Sequence, residues 1–350
     1  MKNPFSFGSA VSRRSFIRSS AAAGVSFPLF TGLAEEKAGR PAAETIVKSL
    51  FDSLSDEQRE KVVIPFEDAL RKKINNNWHI LKEHPVGATF DKDQQAMIRE
   101  IFMGVHSDEY RNKVWDAFIN DNRSKGHKTP EETFGTGSCA LFGEPGADKF
   151  EFVFTGRHTT RRCDGNSVEG ASFGGPIFYG HAAQGFNEKP DHPGNAYWFQ
   201  ALRANEVYAM LDGKQQIEAL KDDSRGEKGQ KTVELRGHAE GLEGTRVGDM
   251  SADQKAGVEG VLNDLLLPFR KVDRDEAMKQ VKAQFDDLHL AFYKNEDVGK
   301  DGVWDTFQLE GPSMVWYFRG DPHVHTWVNI EQPKGDPFKE KTDAKKDSAA

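Results

Sequence analysis

The segment TFQLEGPSMVWYFRGDPHVHTWVNIEQ, residues 306 to 332, decides how the chain folds. β-Branched and aromatic residues dominate it, and Gly311-Pro312 and Gly320-Asp321-Pro322 cut it into two or three strand-length runs. In the last run, residues two apart share a face. His323, His325, Trp327 and Asn329 therefore lie on one side, and Val324, Thr326, Val328 and Ile330 on the other. The second set is the apolar side expected against the core, so the two imidazoles project from the opposite face.

Upstream, the stretch from Cys139 to Tyr179 reads the same way. Phe150, Phe152 and Phe154 recur with period two, the mark of a strand with one buried face, and Glu144-Pro-Gly-Ala-Asp148 makes a hairpin turn. Elsewhere the pattern is helical. Ser55, Asp91, Asp212 and Ser251 each stand three residues before a Gln (Gln58, Gln94, Gln215, Gln254), the spacing of a capping box that opens a helix. Apolar residues follow at helical spacing, as in Val62, Val63, Phe66, Ala69 and Leu70, or Val258, Val261, Leu262, Leu265 and Leu266. The unequal intervals between these starts exclude a solenoid of regular repeats. His289 is read onto the last helix as a core residue, and Trp78-His79 and His84-Pro85 into a loop with packing roles. Helices alternating with runs of strands imply an α+β fold, with helices grouped around a mainly antiparallel sheet in a single large domain, residues 43–331.

The chain ends differ in kind from that domain. Ser12-Arg13-Arg14-Ser15-Phe16-Ile17-Arg18 precedes an apolar run from Ala21 to Ala34 that closes on small residues, the pattern of a twin-arginine signal peptide over residues 1–34. That run is broken by Pro28 and is shorter than the ~20 apolar residues a spanning helix needs. The expectation is a periplasmic or secreted protein, handled folded by the twin-arginine export machinery, with no membrane span after signal removal. Residues 332–350 are polar and charged and are expected to be a disordered tail.

Without residues 1–34 the charge balance is 43 basic against 55 acidic residues, a net −12. That excess of acid argues against nucleic-acid binding, which needs a basic footprint. The two cysteines, Cys139 and Cys163, fall in neighbouring expected strands. Export permits a disulfide between them, with two buried free thiols as the alternative.

Imidazoles two apart on one strand face can chelate Zn, Cu, Ni or Fe(II), and a further His completes a three-ligand site with an open position. His158 is the third candidate and His181 a fourth. By alternation His158 follows the Phe150, Phe152, Phe154 face unless Gly156 introduces a bulge. The alternative is a His-x-His on a covered or solvated face that binds nothing. Arg157, Arg161 and Arg162 form a basic cluster beside His158; Arg157 is the candidate to bind a substrate carboxylate or phosphate, against the alternative of salt bridges to the many acids. Other signatures fail. Gly170-Ala-Ser172-Phe-Gly174 has the nucleophile-elbow spelling but is followed by Gly175-Pro176 and a strand rather than a helix. The acids from Asp297 to Asp305 lack the spacing of a calcium loop.

Phe142-Gly-Glu-Pro145, Gly156-Arg157-His158, Gly175-Pro176-Ile-Phe178-Tyr-Gly180, the helix starts at Asp212 and Ser251, Gly311-Pro312 and His323-Val-His325, in this order over residues 46 to 330, resemble the family called domain of unknown function 3500. Arg157 stands where the resemblance leads one to expect a second histidine in Gly-His-His. The resemblance implies no reaction. Two functional readings follow from the residues: a metal-dependent enzyme with a His-based site on a sheet, holding one divalent transition metal, and a non-catalytic periplasmic binding or structural module without metal.

Overall fold

The structure, a computed structural model, describes residues 42–146, 149–182, 195–294 and 303–334, which belong to one compact unit. The twin-arginine segment, the tail beyond Lys334, most of the Asp297–Asp305 loop and the end of the Glu144–Asp148 turn lie outside the described residues. No helix among the described residues is long and apolar enough to cross a membrane.

Among the described residues eleven strands form one sheet: β1 (Val63–Ile64), β2 (Ser138–Gly143), β3 (Phe150–Gly156), β4 (Thr159–Cys163), β5 (Ile177–His181), β6 (Leu220–Lys221), β7 (Thr245–Arg246), β8 (His289–Tyr293), β9 (Thr306–Gly311), β10 (Met314–Arg319) and β11 (Val324–Ile330). Their order is β1-β2-β3-β4-β5-β11-β10-β9-β8-β6, with β7 paired to β8. All pairings are antiparallel except β1 with β2 and β6 with β8. The expected α+β class is therefore observed. Ten α-helices accompany the sheet among the described residues: α1 (Ala43–Ser53), α2 (Asp56–Val62), α3 (Val86–Thr89), α4 (Lys92–Gly104), α5 (Arg111–Asn122), α6 (Pro130–Phe134), α7 (Trp198–Met210), α8 (Gly213–Ala219), α9 (Ala252–Leu266) and α10 (Lys271–Lys282).

All four capping boxes form, at α2, α4, α8 and α9, with the cap side chain accepting from the Gln amide and the Gln side chain accepting from the cap N–H. The cap glutamines also meet in pairs, Gln58 with Gln94 at 2.7 Å and Gln215 with Gln254 at 3.1 Å. This pairing belongs to a larger repetition. In each half a capped helix (α2, α8) leads into a two-residue strand (β1, β6) lying parallel to the first strand of a four-strand meander (β2–β5, β8–β11). The halves meet through the last strand of each, where β5 pairs antiparallel with β11. Matching details recur: Val86 N–H donates to Gly137 O in one half, and Val247 N–H to Leu288 O in the other, at 2.8 and 2.7 Å. The sequence reading of separate helices stands, but it did not register that the helix starts come as two equivalent pairs.

His289 lies on strand β8, opposite Glu310, and not on a helix. Leu288-His289-Leu290 is a short apolar run, and periodicity alone does not separate helix from strand over so few residues. Cys139 and Cys163 are free and buried. Cys139 pairs with Phe154 and Cys163 with Phe152, on opposite sides of β3. Two strand spacings, ~9–10 Å, exceed the ~7 Å limit between bridged Cα atoms, so of the two alternatives the structure has the free thiols and not the candidate disulfide. Burial instead pushes both thiols' pKa values up.

The two sheet faces are covered differently. Helices seal one with a large apolar core in which Phe102, Phe118, Phe134 and Phe154 pack ring to ring. The other carries two small clusters, around Trp327, Phe178 and Tyr317 and around Trp78, Phe142 and Val153. Irregular backbone crosses it. Buried charge collects there, with Glu151 held between Arg71 and Arg162 at 2.8 and 2.7 Å.

Candidate metal centre

The β3–β4 hairpin turns in two residues, Arg157 and His158, between the paired Gly156 and Thr159. His158 adopts φ +57°, so alternation stops at the turn and the ring leaves the face of Phe152 and Phe154 on which strand parity had set it. His323 precedes β11 and His325 lies within it, on the Trp327 side as read from the sequence. The three rings meet with centroids 4.7–4.8 Å apart. His323 Nε2 lies 3.2 Å from His158 Nε2 and 2.9 Å from His325 Nε2. All three residues are buried, 4–6% exposed. Among the described residues this is the one group of three or more metal-type donors, and it contains no carboxylate. Gly180 makes room for it: a Cβ there would sit 2.4 Å from Val324 O and within 3.4 Å of both His325 Cδ2 and His158 Cβ.

Two carboxylates stand behind the triad. Asp121, at the end of α5, accepts from His158 Nδ1 at 2.9 Å and from the Ala182 amide at 3.0 Å. Glu227, between Gly226 and Gly229 at φ +67° and +59°, accepts from His325 Nδ1 at 2.6 Å and Trp327 Nε1 at 2.8 Å. Arg319 Nε lies 3.4 Å from the same Glu227 oxygen. Burial alone would raise both carboxyls. The hydrogen bonds from His158 and His181 outweigh it for Asp121 and hold its pKa well below the usual range. Those from His325 and Trp327, with the charge of Arg319, bring Glu227 down to about 2. Burial lowers His325 to about 3 against the pull of Glu227, with Arg319 contributing, so its ring is neutral at pH 7.

The tautomers follow. An ionised carboxylate only accepts, so Nδ1 of His158 and of His325 each carry the proton, and in a neutral ring Nε2 is then a lone pair. His323 Nε2 faces both lone pairs and has at most one proton to offer them. A cation between the three nitrogens would satisfy all of them at once. The spacing fits, since bonds of 2.0–2.1 Å to a tetrahedral ion put ligand nitrogens about 3.3 Å apart. The Asp–His and Glu–His pairs are the partners that orient metal-ligating imidazoles.

His158, His323 and His325 thus come together as the sequence implied; His181 does not join them. It points from β5 to the helix face with Ile177 and Tyr179, and its Nδ1 lies 3.5 Å from Asp121 Oδ1. Arg157 Nη1 is 3.3 Å from the Asp121 carbonyl. Arg162 pairs with Glu151, as the salt-bridge reading expects, whereas buried Arg161 donates to His106 Nε2 at 2.8 Å and not to an acid. Ser172 lies in a three-residue 3-10 turn leading to β5, so no nucleophile elbow exists. Asp121 and Glu227 were not identified from the sequence; the glycines flanking Glu227 were the available hint.

No curated protein and no solved structure matches the chain. A family model does, over residues 36–336, under the description "Protein of unknown function (DUF3500)". The match spans most of the chain, and the protein belongs to that family.

Proposed function

We propose that the protein is an exported metalloprotein in which His158, His323 and His325 hold one divalent transition metal, Zn, Cu or Fe, as a metal-dependent enzyme. The observation that carries this is the meeting of three buried Nε2 atoms while the Nδ1 atoms of two rings are committed to Asp121 and Glu227. When bound, such an ion acts as a Lewis acid on a substrate oxygen or on water at the position its three ligands leave open. The protein's own part is to orient two imidazoles through carboxylates and to keep the triad dry. Residues 12–34 support twin-arginine export and a periplasmic or secreted location.

The repetition of the fold supplies an internal control. In the other half the equivalent hairpin, between Gly311 and Met314, carries Pro312 and Ser313. An amide side chain holds its backbone too, one residue further along: Gln284 Oε1 accepts the Ser313 N–H at 2.8 Å, where Asn122 Oδ1 accepts the Arg157 N–H at 3.3 Å. The corner folds without an imidazole, so His158 is not there for the turn. The reading of a metal-free binding module draws on a different feature, the cavity beside that second hairpin, lined by Lys231, Arg236, Pro312, Ser313 and Asn329 among others. Metal titration of chelator-stripped protein by calorimetry separates the two. One equivalent bound by the wild type, and none by a folded His323→Ala/His325→Ala variant, is expected; no uptake by the wild type would leave the binding module.

A further inference from the structure

We infer that the exogenous ligand of this centre is a small oxyanion, a carboxylate or phosphate group of the substrate, and that Arg157 anchors it. The inference rests on the metal reading above. Three neutral imidazoles leave a divalent ion its full charge, and no carboxylate stands among the donor atoms to reduce it. The nearest acids, Asp121 and Glu227, are taken by His158 and His325 and are matched in number by two cations, Arg157 and Arg319. The loaded site therefore carries an excess of about two positive charges, and an anion at the open position offsets it in a setting where burial strengthens the attraction.

Arg157 is the less engaged of the two arginines. Arg319 is already ion-paired to Glu227, whereas Arg157 has no carboxylate within ion-pair distance among the described residues and is only half-buried. Its one side-chain hydrogen bond among the described residues is the contact with the Asp121 carbonyl, which leaves the rest of its planar fork to meet two oxygens of one anion. The hairpin does not require it, since Pro312 occupies the equivalent position in the other half. Asn75, Asn76 and Asn77 line the neighbouring backbone: Asn76 O accepts the His158 N–H at 3.1 Å, and Asn77 pairs with Arg157. No further acid joins the rim through these contacts.

The test uses cobalt(II)-loaded protein, whose visible absorption reports its ligands, titrated with acetate and with inorganic phosphate. Both anions are expected to change the spectrum at saturable concentrations, the tighter one naming the group that the substrate carries. Arg157→Gln should bind cobalt as the wild type does while the anion dissociation constant rises at least tenfold. Arg157→Lys, which keeps charge but loses the fork, should fall between them and serves if the Gln variant does not fold. Cobalt uptake with a spectrum indifferent to both anions, or equal anion affinity in wild type and variants, overturns this inference alone. Failure of the wild type to take up cobalt sinks the metal reading and this inference together.

Discussion

The two hairpin corners of this molecule are built alike and equipped differently. Each follows a glycine, turns in two residues, and has a backbone N–H received by an amide side chain near a helix end, Asn122 or Gln284. One gathers three imidazoles and two ionised carboxylates. The other has Pro312 and Ser313 beside a cavity. Away from both corners, buried acid is treated in the opposite way. Asp121 is held ionised by imidazoles, whereas Asp164, in the β4–β5 connector that packs against α10, has no such partner and burial raises its pKa to about 6. What the fold needs is common to both corners, and what differs is where function is to be sought.

The sharpest way to break this contrast is to make the corners match. His158→Ser, the residue of the second hairpin, should abolish metal binding in calorimetry while circular dichroism shows an intact fold. Unfolding instead would mean that His158 is structural. Next in size is pH. A carboxyl whose folded pKa lies above its unfolded value of 3.8 stabilises the protein fully below that value, and the contribution is lost as pH rises through about 6. Metal-free protein should therefore lose roughly 2 kcal/mol between pH 4 and 7 from Asp164, a difference that Asp164→Asn removes in denaturant melts. Glu227→Gln should weaken the metal by about 10–100-fold without expelling it, as loss of an orienting partner does. An unchanged affinity would mean that Glu227 does not orient His325 for the metal. Smallest, Ser55→Ala and Ser251→Ala should each cost ~1 kcal/mol in thermal unfolding. Similar losses are expected, since each serine opens its helix through the same capping box to a Gln three residues on.

Local signals were legible in the sequence. Capping boxes, the period-two phenylalanines and the Gly-Pro breaks each depend on neighbours within a few residues, and they located helices and the meanders. Within β11 the parity of His323 and His325 was equally local. What failed required long range or ambiguity. His289 sits in a run too short to separate helix from strand. The choice between a Cys139–Cys163 bridge and free thiols stayed open, because only the folded sheet shows β3 lying between the two strands. His158 needed a left-handed turn residue that parity arguments do not reach. Asp121 and Glu227 come from a helix 37 residues before His158 and a crossing segment 98 residues before His325, and only the folded chain brings them to the rings.

The most direct test of the account is the metal content of the protein isolated without chelator from the cells that make it, measured by elemental mass spectrometry against protein concentration. The account predicts close to one divalent transition-metal ion per chain in the wild type and a trace in the His158→Ser variant. Metal-free wild-type protein, or equal metal in both, would contradict it.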